Sequence, residues 1–190
     1  RAVKAAEVRG KSVLILGAGT IGLLLIEIAR HAGARFIAAT DLSDDRLGLA
    51  RRAGADLALN PAQRDLAAEA REMLGSDRFD ATIEAVGATP TVRDSIRYLK
   101  NKGTAVWVGN AAPFVEVPMQ EIVTRELTVR GTYIYSNQDF EESLALIGDG
   151  SFDLDYLVSE IVGMEEAVGM FDRLASGAGK LIKVLISMRR

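Results

Sequence analysis

Residues 12–22 read SVLILGAGTIG, and this stretch decides the fold. Ser12–Leu16 is an apolar run of the kind that forms a strand buried on both faces of a parallel sheet. Gly17, Gly19 and Gly22 follow with GxGxxG spacing and lead directly into a segment of helical periodicity. A strand, a glycine-rich turn and a helix in this order are typical of a dinucleotide-binding βαβ unit.

Each glycine of the turn has a separate physical role. Gly17 allows the tight turn, and Gly19 has no side chain to keep a pyrophosphate away from the backbone. Gly22 lets the helix pack closely on the strand. The amides of the first helical turn and the positive end of the helix dipole then face the phosphates. A glycine motif alone can be an ordinary turn, but the strand before it and the helix after it favour a phosphate site.

An acidic residue follows the second predicted strand. Asp41 lies about twenty residues beyond the glycine motif, where a carboxylate can accept hydrogen bonds from the ribose hydroxyls of adenosine. The same carboxylate would repel a 2′-phosphate, so the sequence favours NAD over NADP. Arg46, in the first turn of the next helix, complicates this prediction because a nearby arginine can accommodate a 2′-phosphate. With Asp41 present, Arg46 either closes over the ribose or lies in solvent.

The rest of the chain alternates short apolar runs with longer helical segments, and glycines and prolines separate them. Strands are predicted over residues 12–16, 36–40, 56–59, 81–85, 104–108 and 127–132. Strands and helices that alternate in this way predict right-handed crossovers and a parallel sheet covered on both faces. The predicted fold class is therefore α/β, with a doubly wound parallel six-stranded sheet of the Rossmann type.

Three local features of the helices follow from the sequence. Ser43 is a predicted N-cap. Thr89 is a second predicted N-cap, with Pro90 at the first helical position. In the first long helix, apolar residues recur at helical spacing at Ile21, Leu24, Leu25 and Ile28.

Strand ends are the expected place for a ligand. In an open parallel sheet, ligands bind beyond the carboxyl ends of the strands, where the strand order reverses. Glycine recurs where the fourth, fifth and sixth strands end, at Val86-Gly87, Val108-Gly109 and Gly131-Thr132. This recurrence is consistent with backbone that approaches a flat nicotinamide ring, although strand ends favour glycine for simpler reasons as well.

The pattern changes after residue 150. We therefore expect a dinucleotide-binding domain over 1–150 and a C-terminal strand-helix-strand extension over 151–190. Strands are predicted over 157–162 and 181–186, and a helix over 165–174. The residues expected to face inward on this helix are Ala167, Val168, Phe171 and Leu174. The two strands have no obvious place in the six-stranded sheet and are expected to pair with something else.

Composition limits the chemistry of the chain. Of its 190 residues, 48% are hydrophobic and 26% charged, so the chain can bury a core. It has no cysteine, which excludes disulfides, thiolate catalysis and cysteine-bound zinc within these residues. It has one histidine, His31. The net charge of -3 provides no basic excess for a nucleic acid. The longest apolar run, 21–26, is far too short to span a membrane. We expect a cytoplasmic protein without nucleic-acid or membrane partners.

With these features in place, the chain resembles the cofactor domain of the zinc-type medium-chain alcohol and polyol dehydrogenases, over essentially all 190 residues. The stretches that carry the resemblance are KSVLILGAGTIG (11–22), ATDLSDDRLGLARRAGAD (39–56), DATIEAVG (80–87), GTAVWVG (103–109), ELTVRGTYIYS (126–136) and LASGAGKLIKVLI (174–186). The fifth stretch, followed by DFEESL, is most similar to the sorbitol and threonine dehydrogenase branch.

The resemblance implies NAD as the cofactor and a role for each matching position. The residues implied to hold the pyrophosphate are Gly17, Gly19, Thr20, Ile21 and Gly22. Asp41 would bind the adenosine ribose, with Arg46 beside it. The residues implied to frame the nicotinamide are Val86, Val108, Gly109 and the backbone from Thr132 to Ile134. Lys183 matches a basic residue that can reach the pyrophosphate, or it is a solvated strand residue.

A large departure from the family pattern limits what this chain can do. In that family a separate domain precedes the cofactor domain and supplies cysteine, histidine and glutamate ligands for zinc. Residue 1 is Arg, and we expect the sequence to be a fragment or an excised domain. Zinc polarises the alcohol oxygen during hydride transfer. We therefore expect the chain to bind NAD without turnover, with no catalytic or metal-binding residue of its own.

The resemblance also leads to expectations about partners. The small-molecule alcohol is expected to be reached through the missing domain. The extension normally completes that domain, so we expect its exposed strand edges to cause self-association into a homo-oligomer.

Other function classes stay open at this point. A nucleotide-sensing regulatory module would suit a chain without catalytic side chains. An S-adenosylmethionine-dependent methyltransferase also uses a glycine loop and an acidic residue after the second strand. It fits less well, because the second half of this chain is regular and does not end in an antiparallel hairpin. A zinc-free quinone or enoyl reductase is a variant of the dehydrogenase class, but such enzymes usually favour NADPH, against Asp41.

Overall fold

Six parallel strands form the central sheet of the computed structural model. In chain order they are β1 (Ser12–Leu16), β2 (Phe36–Thr40), β3 (Leu57–Leu59), β4 (Phe79–Glu84), β5 (Leu99–Trp107) and β6 (Thr128–Gly131). Their order across the sheet is β3-β2-β1-β4-β5-β6, and every neighbouring pair is parallel. This order reverses at β1, as in doubly wound dinucleotide-binding sheets. The predicted fold class is confirmed.

The structure describes residues 1–150, 152–175 and 181–188, and it divides into two compact units, Arg1–Asp139 and Phe140–Arg190. The α-helices are α1 (Ala2–Ala6), α2 (Thr20–His31), α3 (Asp44–Arg52), α4 (Leu66–Leu74), α5 (Thr89–Arg97), α6 (Met119–Thr124), α7 (Asn137–Gly148) and α8 (Ala167–Ala175). Short 3₁₀ helices lie at Asp155–Leu157 and Met164–Glu166. Within the described part of the chain, none of the helices has the length and apolar character needed to cross a membrane.

The core lies against the first strands of the sheet. Every residue of β1 and β2 is buried, which explains why their sequences are continuous runs without polar alternation. Helices α3 and α4 add Leu47 and Leu66 to this core. Strand β5 begins at Leu99, five residues before the predicted start at 104, because its polar first half (Lys100–Lys102) conceals it in the sequence.

The helix starts differ in one respect from the prediction. Ser43 caps α3 as predicted, since its hydroxyl accepts a hydrogen bond from the amide of Arg46 at 3.4 Å. The prediction for Thr89 is wrong. Ala88 is the N-cap of α5, Thr89 is its first residue, and Pro90 follows. The Thr89 hydroxyl instead accepts a hydrogen bond from the amide of Glu116 at 3.3 Å.

The four apolar residues at helical spacing in α2 do not all face the core: Leu25 is buried and Leu24 is half-buried. Ile21 and Ile28 are 50% and 36% exposed. The buried residues of this helix are Gly22, Leu23, Leu25, Ile26 and Ala29. The helix is apolar on nearly every side, so periodicity alone could not choose its orientation. The contact of Gly22 with the turn after β1 fixes the orientation instead.

The second unit contains two further strands, β7 (Val158–Gly163) and β8 (Lys183–Ser187), which pair in parallel with each other. With α8 between them, they form the predicted strand-helix-strand extension. The predicted inward face of α8 is wrong except at Ala167, which is buried. The other three residues of that face, Val168, Phe171 and Leu174, are exposed. Among the described residues of this unit, only Leu157, Val162 and Ala167 are buried apolar residues, too few to cover a helix face.

Candidate dinucleotide site

The glycine turn after β1 is built by close backbone contacts. Gly17 has φ +96°, a left-handed conformation that favours glycine. A Cβ atom at Gly17 would lie 2.6 Å from Cγ2 of Val86, and one at Gly22 would lie 1.8 Å from the carbonyl oxygen of Gly17. The turn therefore requires glycine at position 17 and the close packing of the helix requires it at position 22, as the sequence predicts.

Gly19, in contrast, does not pack against another part of the described structure. A Cβ atom there would meet no protein atom within 4 Å, so the space above it is open. Gly19 is the N-cap of the twelve-residue helix α2; no side chain caps this helix, and its first turn carries no acidic residue. An uncapped helix start with open space beside it fits an anionic pyrophosphate, because the dipole and the first-turn amides favour negative charge. Thr20 and Ile21 form this first turn.

Asp41 lies next to the glycine turn and is tied to it. Its Oδ2 accepts a hydrogen bond from the amide of Ala18 at 2.8 Å, and its Oδ1 accepts one from the amide of Ser43 at 3.0 Å. Nη1 of Arg46 lies 3.8 Å from Oδ2. Arg46 therefore lies beside Asp41, and its role at the ribose stays a prediction. The contact with Ala18 could not be read from the sequence.

The exits of β4 and β5 meet next to this turn. A Cβ atom at Gly87 would lie 2.4 Å from the amide nitrogen of Asn110, and one at Gly109 would lie 2.1 Å from the amide nitrogen of Gly87. The two exit loops are therefore in backbone contact, which only glycines allow. Val86 is 38% exposed, and Val108 is half-buried. These residues lie where β4 follows β1 in the sheet, at the reversal of strand order.

Glu84, the last residue of β4, is a buried carboxylate beneath these loops. It is 0% exposed. Its Oε1 accepts hydrogen bonds from the amides of Val86 and Gly87, at 2.9 and 2.8 Å, and from the hydroxyl of Thr91 at 2.7 Å. Its Oε2 has no hydrogen-bond partner among the described residues. The signal in the sequence that points to this residue is a carboxylate within an otherwise apolar strand.

The other predicted cofactor residues lie at strand ends. The amide of Thr132 donates to the carbonyl of Trp107 at 2.9 Å, which continues the pairing of β6 with β5. Ile134 has φ +55°, which is strained for a β-branched residue, and its side chain is exposed. Lys183 is the exposed first residue of β8 in the second unit, and its role remains a prediction.

The structure thus brings together the glycine turn, Asp41 and the exit loops of β4 and β5 within the first unit. A dinucleotide needs these parts in this arrangement: an anion site, an acceptor for the ribose, and a surface for the nicotinamide. In the described part of the chain, no group of three or more histidine, cysteine, aspartate or glutamate side chains could hold a metal ion.

Known proteins share both the sequence and the fold. A family model described as zinc-binding dehydrogenase matches residues 20–149. The chain is 36% identical over 172 residues to L-threonine 3-dehydrogenase of Streptomyces coelicolor, covering 90% of this chain and 50% of that protein. It is 32% identical over 182 residues to D-xylulose reductase A of Aspergillus niger, covering 94% and 50%. The chain spans about half the length of these curated relatives.

Solved structures of dehydrogenases superpose closely on this chain. The 2R,3R-butanediol dehydrogenase of Bacillus subtilis superposes with a TM-score of 0.87 at 30% identity, over 99% of this chain and 54% of that one. A structure from Sinorhizobium meliloti that is bound to NADP superposes with a TM-score of 0.86 at 29% identity, over 97% and 55%. The resemblance to zinc-type dehydrogenases is therefore confirmed, and the methyltransferase interpretation is set aside. The chain belongs to the zinc-binding dehydrogenase family.

Proposed function

We propose that this chain binds NAD(H) as the cofactor-binding part of a zinc-dependent dehydrogenase that acts on a small alcohol or polyol. One observation carries the proposal: the uncapped start of α2, with open space at Gly19, lies beside the Asp41 carboxylate, which is fixed to the same turn through Ala18. A site for the pyrophosphate anion and an acceptor for the ribose hydroxyls would therefore lie next to each other.

The preference for NAD over NADP rests on Asp41. Its carboxylate would face the ribose hydroxyls and oppose a 2′-phosphate. Arg46 could in principle attract that phosphate, but its guanidinium lies 3.8 Å from the Asp41 carboxylate, which neutralises part of its charge. One structural relative is bound to NADP, so the proposed preference of this chain for NAD rests on its own residue Asp41.

The chain's contribution to catalysis is to bind and orient the cofactor. Bound NAD would accept the hydride that leaves the carbon of the alcohol. The amides at the start of α2 would hold the pyrophosphate, and the exit loops with Val86, Val108 and Gly109 would limit how the nicotinamide ring can lie. Residues that hold zinc and the alcohol are proposed to lie in the region that matches the other half of the relatives.

The remaining proposals concern the organisation of the protein. Residues 1–150 would act as the dinucleotide-binding domain, and 151–190 as an extension that completes a catalytic domain. The protein would work in the cytoplasm as a homo-oligomer, on a small molecule and not on a nucleic acid or a membrane. The exposed apolar residues of α8, among them Val168 and Phe171, support self-association.

A titration of the 190-residue chain with NADH, NADPH and ADP-ribose tests the proposal. Calorimetry and the fluorescence of the reduced nicotinamide are suitable readouts. We expect NADH and ADP-ribose to bind, NADPH to bind more weakly, and no oxidation of alcohols to occur. Failure of all three ligands to bind would overturn the proposed cofactor site, and a preference for NADPH would overturn the role of Asp41.

A further inference from the structure

Glu84 is the one charged residue among the described residues that is buried. It pairs with Leu16 of β1 on one side and with Trp107 of β5 on the other, so it lies in the middle of the sheet. Burial of a carboxylate is unfavourable unless hydrogen bonds compensate for the water it loses. A charged residue at this position therefore calls for an explanation beyond packing.

The carboxylate of Glu84 organises the loop after β4. Its Oε1 accepts hydrogen bonds from two consecutive amides, those of Val86 and Gly87, and from the hydroxyl of Thr91 in α5. One atom, Oε1 of Glu84, therefore fixes the position of the loop after β4.

The backbone of Glu84 holds the second loop. Its carbonyl oxygen accepts hydrogen bonds from the amides of Val108 and Gly109, at 2.8 and 3.1 Å. The free carboxylate oxygen Oε2 lies under Gly109, where a Cβ atom would be only 2.5 Å away. One residue therefore contacts both loops, from its main chain and from its side chain.

We propose that Glu84 is a positioning residue for the nicotinamide end of the cofactor site, an inference that rests on the proposed binding of NAD. By holding the two exit loops against each other, it fixes Val86 and Gly109 beside the ring. The adenosine end is anchored separately, through Asp41 and the start of α2. Loss of the Glu84 carboxylate should therefore weaken contacts with the nicotinamide and leave those with ADP-ribose intact.

Two substitutions at Glu84 separate the hydrogen bonds from the charge. Glu84→Gln keeps an oxygen that can accept from both amides, whereas Glu84→Ala removes it. Thr82→Val is a matched control, because Thr82 lies two residues earlier on β4 and its buried hydroxyl donates to the carbonyl of Ser95 in the same helix α5. It removes a buried hydrogen bond without contacting either exit loop.

The experiment compares the affinities of the full chain for NADH and ADP-ribose. In Glu84→Ala we expect the Kd for NADH to rise about tenfold, with the Kd for ADP-ribose within about twofold of wild type. We expect Glu84→Gln to restore most of the NADH affinity and Thr82→Val to change neither ligand. The shift in emission of bound NADH should be smaller in Glu84→Ala, since it reports the surroundings of the ring.

Three results would overturn the proposal: an equal loss for both ligands in Glu84→Ala, no loss for either, or the same pattern in Thr82→Val. If Glu84→Ala does not fold, Thr91→Val replaces it, because it removes one donor to the carboxylate from a half-buried position. It should raise the Kd for NADH alone, by about threefold; no change would contradict the proposal. A wild-type chain that binds neither ligand would instead refute the proposed function itself, and the positioning role with it.

Discussion

The carboxylate of Asp41 accepts a hydrogen bond from the backbone amide of Ala18, with 2.8 Å between Oδ2 and the nitrogen. Ala18 lies between Gly17 and Gly19, so the residue proposed to bind the ribose also fixes the turn proposed to bind the pyrophosphate. The proposed ribose site and the proposed pyrophosphate site are therefore linked by a hydrogen bond. A substitution at Asp41 should therefore alter more than the choice between NAD and NADP.

Asp41→Ala is expected to raise the Kd for NADH about tenfold or more, because hydrogen bonds to a charged group are lost at both the ribose and Ala18. The affinity for NADPH should increase by a smaller factor than this, because the loosened turn weakens the binding of both cofactors. Calorimetric titration of both cofactors checks the prediction. Asp44→Ala removes the same charge from an exposed position in the first turn of α3 and serves as the control. NADH affinity equal to wild type in Asp41→Ala would contradict the expectation.

Gly19 and Gly48 make a matched pair for the proposed pyrophosphate site. A Cβ atom at either position would meet no protein atom within 4 Å. Gly19→Ala should leave the fold intact but raise the Kd for NADH at least about tenfold, because the methyl group occupies the space that the phosphates approach. Gly48→Ala, inside α3, should bind NADH normally and increase the free energy of unfolding by about 0.5–1 kcal/mol.

Thermal unfolding and NADH titration of the two variants provide the check. Normal NADH binding by Gly19→Ala would mean that no ligand approaches this surface. Gly22→Ala gives the opposite contrast, since its methyl group would collide with the backbone of Gly17. We expect it to destabilise the fold as well as abolish binding.

Asp80 joins three strands at the opposite end of the sheet from the site. Its Oδ2 accepts hydrogen bonds from the amide and the hydroxyl of Ser12, both at 2.8 Å, and its Oδ1 accepts one from Lys100 at 2.7 Å. Desolvation by burial alone would raise the pKa of Asp80. The hydrogen bonds from Lys100 and Ser12 outweigh it, and the pKa lies below its ordinary value of 3.8.

A lowered pKa in the folded state means that ionised Asp80 stabilises the fold above pH 3.8 and that this contribution is lost as the pH falls through the folded-state pKa. Asp80→Asn should therefore lower the free energy of unfolding by about 1–3 kcal/mol at pH 7. The difference from wild type should shrink below about pH 4. Urea unfolding at several pH values measures it. Asp77→Asn, which breaks an exposed ion pair with Arg71, should change stability by less than about 1 kcal/mol.

The exposed apolar face of α8 should make the chain associate with itself. Val168 and Phe171 are 75% and 67% exposed, and apolar surface of this kind favours contact with another molecule. We expect the sedimentation coefficient of the 190-residue chain to rise with concentration. Phe171→Glu should shift this rise to higher concentration, whereas Asp172→Lys, next to it in the sequence, tests for a general effect of charge. A clean monomer at high concentration would count against the expectation.

Sequence alone was sufficient for the βαβ start and for the doubly wound parallel sheet of six strands. The run Ser12–Leu16, the glycine spacing and the cap at Ser43 act through local backbone geometry, and local geometry is what a pattern of residue types records. Glycine at 17 and 22 follows from the same rule, because the turn and the close packing of α2 both forbid a Cβ atom. The resemblance to zinc-type dehydrogenases likewise rested on stretches that are contiguous in the sequence.

Only the tertiary structure decided which faces and which partners those elements have. The orientation of α2 depends on its contact with the turn after β1, and the exposure of α8 depends on how little core its unit offers, neither of which periodicity encodes. The links from Asp41 to Ala18 and from Glu84 to both exit loops join residues on different strands and turns. Such contacts arise from three-dimensional packing between segments, because hydrogen bonds and burial depend on distance in space and not on distance along the chain.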